Sequence, residues 1–112
     1  MNNNQFTNQS VKSLALYHYQ SCPFCAITRE AIKYLEQGLS GAKKVQKIEQ
    51  RDILNEPAFR QELIQGGGKA QVPCLKIETE NGTIHWLYES RDIIRFLQNN
   101  DALLKQKETV IA

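Results

Sequence analysis

The apolar run Leu14 to Tyr19, followed closely by Cys22-Pro23-Phe24-Cys25, constrains this chain more than any other feature. Continuous apolar and aromatic character over a strand's length predicts a strand buried on both faces in the middle of a sheet. After a short turn the spacing changes. Phe24, Ile27, Ala31 and Leu35 recur three or four apart with Ile32 beside them, which predicts a helix with that stripe turned inward. Pro23 suits the first helical position and Gly38 the stop. The cysteine pair therefore falls where a buried strand hands over to a helix.

Val45 to Ile48 reads as a weak strand between two helical segments. Asn55 reads as an N-cap, with Pro57 in the first turn and Phe59 and Leu63 on one face, up to the breaker Gly66-Gly67-Gly68. Pro73 to Glu78 and Thr83 to Tyr88 read as antiparallel strands joined through Asn81-Gly82. Ser90 can cap a last helix, with Asp92 in its first turn and Ile93, Ile94 and Leu97 facing inward. The order strand, helix, strand, helix, hairpin, helix predicts an α/β fold with a four-stranded mixed sheet flanked by helices. Its first two strands should be parallel across a helical crossover. This resembles the thioredoxin-type arrangement.

At 112 residues and 41% hydrophobic, the chain suits one domain, with 1–12 and 101–112 read as tails. The formal charge of +2 is too small a footprint for nucleic acid. Met1 to Ser10 lacks the basic and apolar regions of a secretory signal, and no apolar run approaches the roughly 20 residues of a membrane span. A soluble cytoplasmic monomer is expected. Three cysteines, an odd count, fit poorly with a secreted disulfide scaffold. In a reducing compartment, a close pair points to chemistry or to metal.

A thiol attacks disulfides only as the thiolate, and an unperturbed cysteine of pKa about 8.5 is mostly protonated at neutral pH. At a helix start, Cys22 would meet unpaired N–H groups and the positive end of the dipole, both of which favour an anionic sulfur. Cys25, three residues on, would be more buried and could attack Cys22 to release a product thiol. The alternative is half a zinc site, with Cys74, His18 and His85 as candidate ligands. No second cysteine pair completes such a site, and Pro23 after a buried strand matches redox chemistry better. Cys74 reads as a buried small hydrophobe pointing away from Leu75 and Ile77, with a third redox thiol as the alternative. His18 and His85 read as structural.

Three separated motifs, Cys22-Pro23-Phe24-Cys25, Val72-Pro73 before a strand, and Tyr88-Glu89-Ser90 before the last helix, give the chain a resemblance to glutaredoxins from about Leu14 to Leu97. The resemblance implies that Pro73 is cis and faces the cysteines, and that the backbone of Val72 pairs with the cysteinyl part of glutathione. Two departures stand out. Glu89-Ser90 replaces the Gly-Gly-Cys-Asp-Asp type run of common glutaredoxins and resembles the glutathione transferase N-terminal domain, where the matching pair holds the γ-glutamyl end. Tyr19 occupies the place where many glutaredoxins carry a lysine, and Lys69 is the candidate substitute as carboxylate partner. Phe24 either lines the groove, as its counterpart does in the family, or starts the core stripe.

The resemblance thus implies a glutathione-dependent disulfide oxidoreductase with Cys22 as nucleophile and Cys25 as resolving thiol. Tyr19, Phe24, Lys69, Val72, Pro73, Glu89 and Ser90 would stand around glutathione, the cosubstrate, and no metal is expected. Glutathionylated or disulfide-containing proteins would be the partners. The rival reading is a carrier of an iron–sulfur cluster shared through Cys22 and glutathione.

Overall fold

The computed structural model describes residues 11–38 and 48–99. Its elements run β1 (Val11–His18), α1 (Pro23–Gly38), β2 (Ile48–Asp52), α2 (Pro57–Gly67), β3 (Cys74–Thr79), β4 (Ile84–Tyr88) and α3 (Ser90–Asn99). The strands form one four-stranded sheet in the order β2-β1-β3-β4. β1 pairs parallel with β2, from Leu14 opposite Ile48 to His18 opposite Asp52, and β3 runs antiparallel to both β1 and β4. This mixed sheet with three helices is the thioredoxin-like α/β fold expected from the order of elements. β1 lies between two neighbours, which is why Leu14 through His18 are all buried.

Side chains alternate across a strand, so the sheet has two different faces. Leu14, Leu16, Leu75 and Ile77 meet Ile32 of α1 and Ile93, Phe96 and Leu97 of α3 in an aliphatic cluster. Ala15, Tyr17 and Cys74 belong to the opposite cluster, closed by Leu63 of α2 and by the rings of Phe59, Trp86 and Tyr88. Cys74 thus points away from Leu75 and Ile77, as alternation requires.

Several local expectations are corrected. β1 starts at Val11, inside the segment read as a tail, because Val11 pairs with Thr79 and is fully buried. Of the strand expected over Val45 to Ile48, residues 45–47 lie outside the described residues, as do 1–10 and 101–112. The pairing with β1 runs from Ile48 through the polar Glu49, Gln50 and Arg51, which hydropathy could not flag. The inward face of α1 is Cys25, Thr28 and Ile32, with Leu35 of the expected stripe half-buried against the same core, while Phe24 and Ile27 are 61% and 53% exposed. Thr28 tolerates burial because its hydroxyl donates to the Phe24 carbonyl at 2.9 Å.

Glu56, not Asn55, holds the capping position of α2, and it makes no side-chain cap bond. The turn before it is organised by the Asp52 carboxylate, which accepts from the Leu54 and Asn55 N–H groups at 2.9 and 3.0 Å. The triglycine is more than a breaker. Gly66 and Gly67 are the last residues of α2, and a Cβ on either would collide with the Trp86 ring or the Tyr88 hydroxyl of β4. Only Gly68, at φ 98°, ends the helix, its N–H bonded to the Ile64 carbonyl at 2.9 Å.

Candidate functional site

The cysteine corner is built by the first turn of α1. Cys22 donates its N–H to the Tyr19 carbonyl at 3.2 Å, and its own carbonyl accepts from Ala26 at 3.0 Å. Cys22 is therefore the N-cap and Pro23 the first helical residue, where a missing N–H costs nothing. The Cys25 N–H donates to Cys22 Sγ at 3.2 Å. Serine and aspartate caps make the same bond to the third helical N–H. Helix N-termini present unpaired donors and the positive end of the dipole, so an anion is favoured in this place.

The two sulfurs are unequal. Burial, and then the bond with Cys22, push the Cys25 thiol up to about 12. Cys22 retains 5% of its exposure and Cys25 none, so only the first can be approached from solvent. Both are free thiols, as is Cys74. Burial likewise pushes the Cys74 thiol up to about 12, on the far face of the sheet beside Tyr88.

Phe24, between the two cysteines, forms one wall of a cleft of about 430 Å³. Val72, Pro73, Glu89 and Ser90 also line it, so five of the residues singled out by sequence meet there. The Val72-Pro73 peptide is cis. Glu89 sits at φ 77°, a left-handed conformation that costs a residue with a Cβ about 1–2 kcal/mol. Its carbonyl accepts from Ile93 at 3.0 Å, so Glu89 holds the cap position of α3 and Ser90 is the first helical residue rather than the cap. Gln71, Arg91 and Asp92 complete the lining, and Gln71 Nε2 donates to Glu89 Oε2 at 3.4 Å. Sequence reasoning passed over Gln71 and Arg91, although each adjoins a motif residue. Carboxylates, a guanidinium, a hydroxyl and the first-turn N–H groups of α3 together suit a ligand carrying both charges.

Tyr19 and Lys69 do not line this cleft. Tyr19 is half-buried against the α2-side cluster and meets the cysteine corner through its carbonyl. Lys69 holds its Nζ 4.8 Å from the centre of the Tyr88 ring, while its carbonyl accepts from the Tyr88 hydroxyl at 3.0 Å. His18, read from sequence as structural, is partnered by Arg29, which donates to its Nδ1 at 3.0 Å. Among the described residues, no group of three or more His, Cys, Asp or Glu side chains is placed to hold a metal, and no helix is long and apolar enough to cross a membrane.

Fold and corner together define a thioredoxin-like protein with a cysteine pair at a helix N-terminus. The family model of the glutathione S-transferase N-terminal domain matches residues 16–105, and the chain belongs to that family. No curated protein matches it. Among solved structures it is similar to the maleylacetoacetate isomerase of Anaeromyxobacter dehalogenans 2CP-1 with GSH bound in the active site. The identity is 26% and the TM-score 0.47, over 83% of this chain and 39% of that one. The same isomerase with dicarboxyethyl glutathione and citrate bound gives 24%, 0.47, 83% and 38%. The glutaredoxin of Brucella melitensis is 19% identical at a TM-score of 0.48, over 90% of this chain and 97% of that one. The chain thus spans about two fifths of the isomerase.

Proposed function

We propose that the chain is a glutathione-dependent thiol–disulfide oxidoreductase, with Cys22 as nucleophile and Cys25 as resolving thiol. The observation that carries this reading is the hydrogen bond from the Cys25 N–H to Cys22 Sγ in the first turn of α1. Membership of the glutathione S-transferase N-terminal family supports glutathione as the ligand of the adjoining cleft. Glu89 would accept from the α-ammonium of glutathione, and Ser90 with the α3 N-terminus would hold its γ-glutamyl carboxylate. The backbone of Val72 would pair with the cysteinyl unit, bringing its sulfur in line with Cys22.

In the first step the Cys22 thiolate attacks the glutathionyl sulfur of a protein–glutathione mixed disulfide. The protein thiol leaves and Cys22 becomes joined to glutathione. The thiolate of a second glutathione then attacks that glutathionyl sulfur, frees Cys22 and leaves as glutathione disulfide. With a protein disulfide as substrate, Cys25 gives up its proton and attacks the Cys22 sulfur of the mixed intermediate. That step releases the second substrate thiol and leaves a Cys22–Cys25 disulfide for two glutathione molecules to reduce. The buried, protonated state of Cys25 suits a group that acts only after Cys22 is occupied.

The test is turnover of a glutathionylated peptide coupled to glutathione reductase. Cys22→Ser should abolish it, whereas Cys25→Ser should retain it. Full activity in Cys22→Ser would overturn the assignment.

A further inference from the structure

Arg29 lies one helical turn beyond Cys25 on α1, where a surface helix ordinarily carries a solvated cation. Here it turns back under the cysteine corner. One guanidinium nitrogen reaches His18 Nδ1 at 3.0 Å and the Tyr19 carbonyl at 3.3 Å, and the other reaches the Gln20 carbonyl at 3.2 Å. A guanidinium only donates, so Nδ1 of a neutral His18 is the acceptor. The Tyr19 carbonyl also receives the Cys22 N–H, so the guanidinium and the nucleophile's backbone share one acceptor.

We propose that Arg29 is a positioning residue of the dithiol site. Its fork ties the end of β1 and the turn at Tyr19 and Gln20 to α1, and so holds Cys22 where its sulfur receives the Cys25 N–H. This rests on reading Cys22 and Cys25 as a redox pair. The fork also brings a positive charge to the corner from within the helix, at a site where Tyr19 supplies none. Its field acts on Cys25 in the direction that favours the thiolate. A planar fork spans three acceptors at fixed geometry, which a lysine ammonium on a flexible stem does not reproduce.

The experiment is the pH profile of iodoacetamide alkylation of the reduced full-length chain, for wild type, Arg29→Met and Arg29→Lys, with thermal unfolding of each. Arg29→Met should slow alkylation of Cys22 near neutral pH about fivefold, since without the fork the Cys22 sulfur loses the position in which it receives the Cys25 N–H. Arg29→Lys should recover only part of the loss. A wild-type profile in Arg29→Met, or full recovery in Arg29→Lys, overturns the proposal, and the lysine variant decides alone if the methionine variant does not fold. Alkylation requires no glutathione turnover. A chain inactive toward glutathionylated peptide whose profile still responds to Arg29 would therefore overturn the proposed function and leave this inference standing.

Discussion

The two faces of the sheet solve burial by different means. The α1 and α3 side is filled by leucine, isoleucine and Val11, and among the described residues Phe96 is the one ring in its buried cluster. The α2 side is aromatic and ionic. Arg51 reaches the Tyr17 hydroxyl at 2.6 Å, Glu62 at 2.9 Å and Glu49 at 2.9 Å, and its guanidinium lies 5.4 Å from the Tyr17 ring centre and 5.6 Å from that of Phe59. Aliphatic packing is forgiving in shape and costly in volume, whereas a wall of rings and ion pairs fixes geometry. The cleft draws on both sides: Phe24 comes from α1 and Ser90, Arg91 and Asp92 from α3, while Val72 packs on the α2-side cluster and β4, carrying Trp86 and Tyr88 against α2, runs directly into Glu89.

The largest expected effect tests the volume rule. Leu16 is fully buried in the aliphatic cluster, and Leu16→Ala should lower the unfolding free energy by about 3 kcal/mol, while Leu16→Met should cost under about 1.5 kcal/mol. Denaturant titration measures both. Equal losses in the two variants would show that this face is held by shape after all. Gly66→Ala comes next, at a net of about 1–2 kcal/mol, because overlap with the Trp86 ring outweighs the helix propensity that alanine adds. Trp86 is the chain's single tryptophan, so its emission reports the displacement directly. Unchanged emission with raised stability would mean that α2 has room to move away from β4.

The same contrast explains what the sequence could reveal. Leu14 to Tyr19 and the spacing of Ile93 and Leu97 announce the aliphatic face, because burial there is written in hydropathy. The α1 stripe misled because Phe24, Ile27 and Ala31 recur with the same period as Cys25, Thr28 and Ile32, and small polar side chains do not register as core. Val72, Pro73, Glu89 and Ser90 were legible as motifs, and the structure gathers them with Phe24 around one cleft. Lys69 and Tyr19 were placed there by analogy with a missing charge, but Lys69 is drawn onto the Tyr88 ring. The partnership of His18 with Arg29, 11 residues away, is invisible to local pattern because it depends on how β1 and α1 meet.

A smaller effect concerns the ionic half of the α2 face. The Tyr17 hydroxyl donates to Glu62 at 2.8 Å without help from Arg51, so Arg51→Met leaves that bond in place. It also removes Arg51 Nε, a buried nitrogen with no hydrogen-bond partner among the described residues. The cost should be about 1 kcal/mol, well below that of Leu16→Ala. Burial and the bond to Glu62 push the Tyr17 phenol up to about 12, against the pull of Arg51. Spectrophotometric titration of Glu62→Gln should find it lower, and an unchanged value would mean that burial alone sets it.

The smallest effect belongs to the corner that joins β1 to α1. His18 is 2% exposed, and burial first, then the charge of Arg29, hold its pKa below the ordinary 6.5, with Asp52 pulling the other way. The unfolded chain therefore binds the proton more readily than the folded one. Stability from this residue is complete above 6.5 and is lost as pH falls from 6.5 toward the lower folded value. Glu49 and Asp52 have pKa values lowered from 4.5 and 3.8, so neither titrates in that window. Urea midpoints at about pH 7.5 and about pH 5.5, at one ionic strength, should fall on acidification in wild type. His18→Asn keeps an acceptor for Arg29 but has no proton to gain, so its midpoints should differ less. If both proteins lose stability in parallel, the acid sensitivity lies elsewhere, and the corner between the two faces is held by Arg29 and its carbonyl partners without the imidazole.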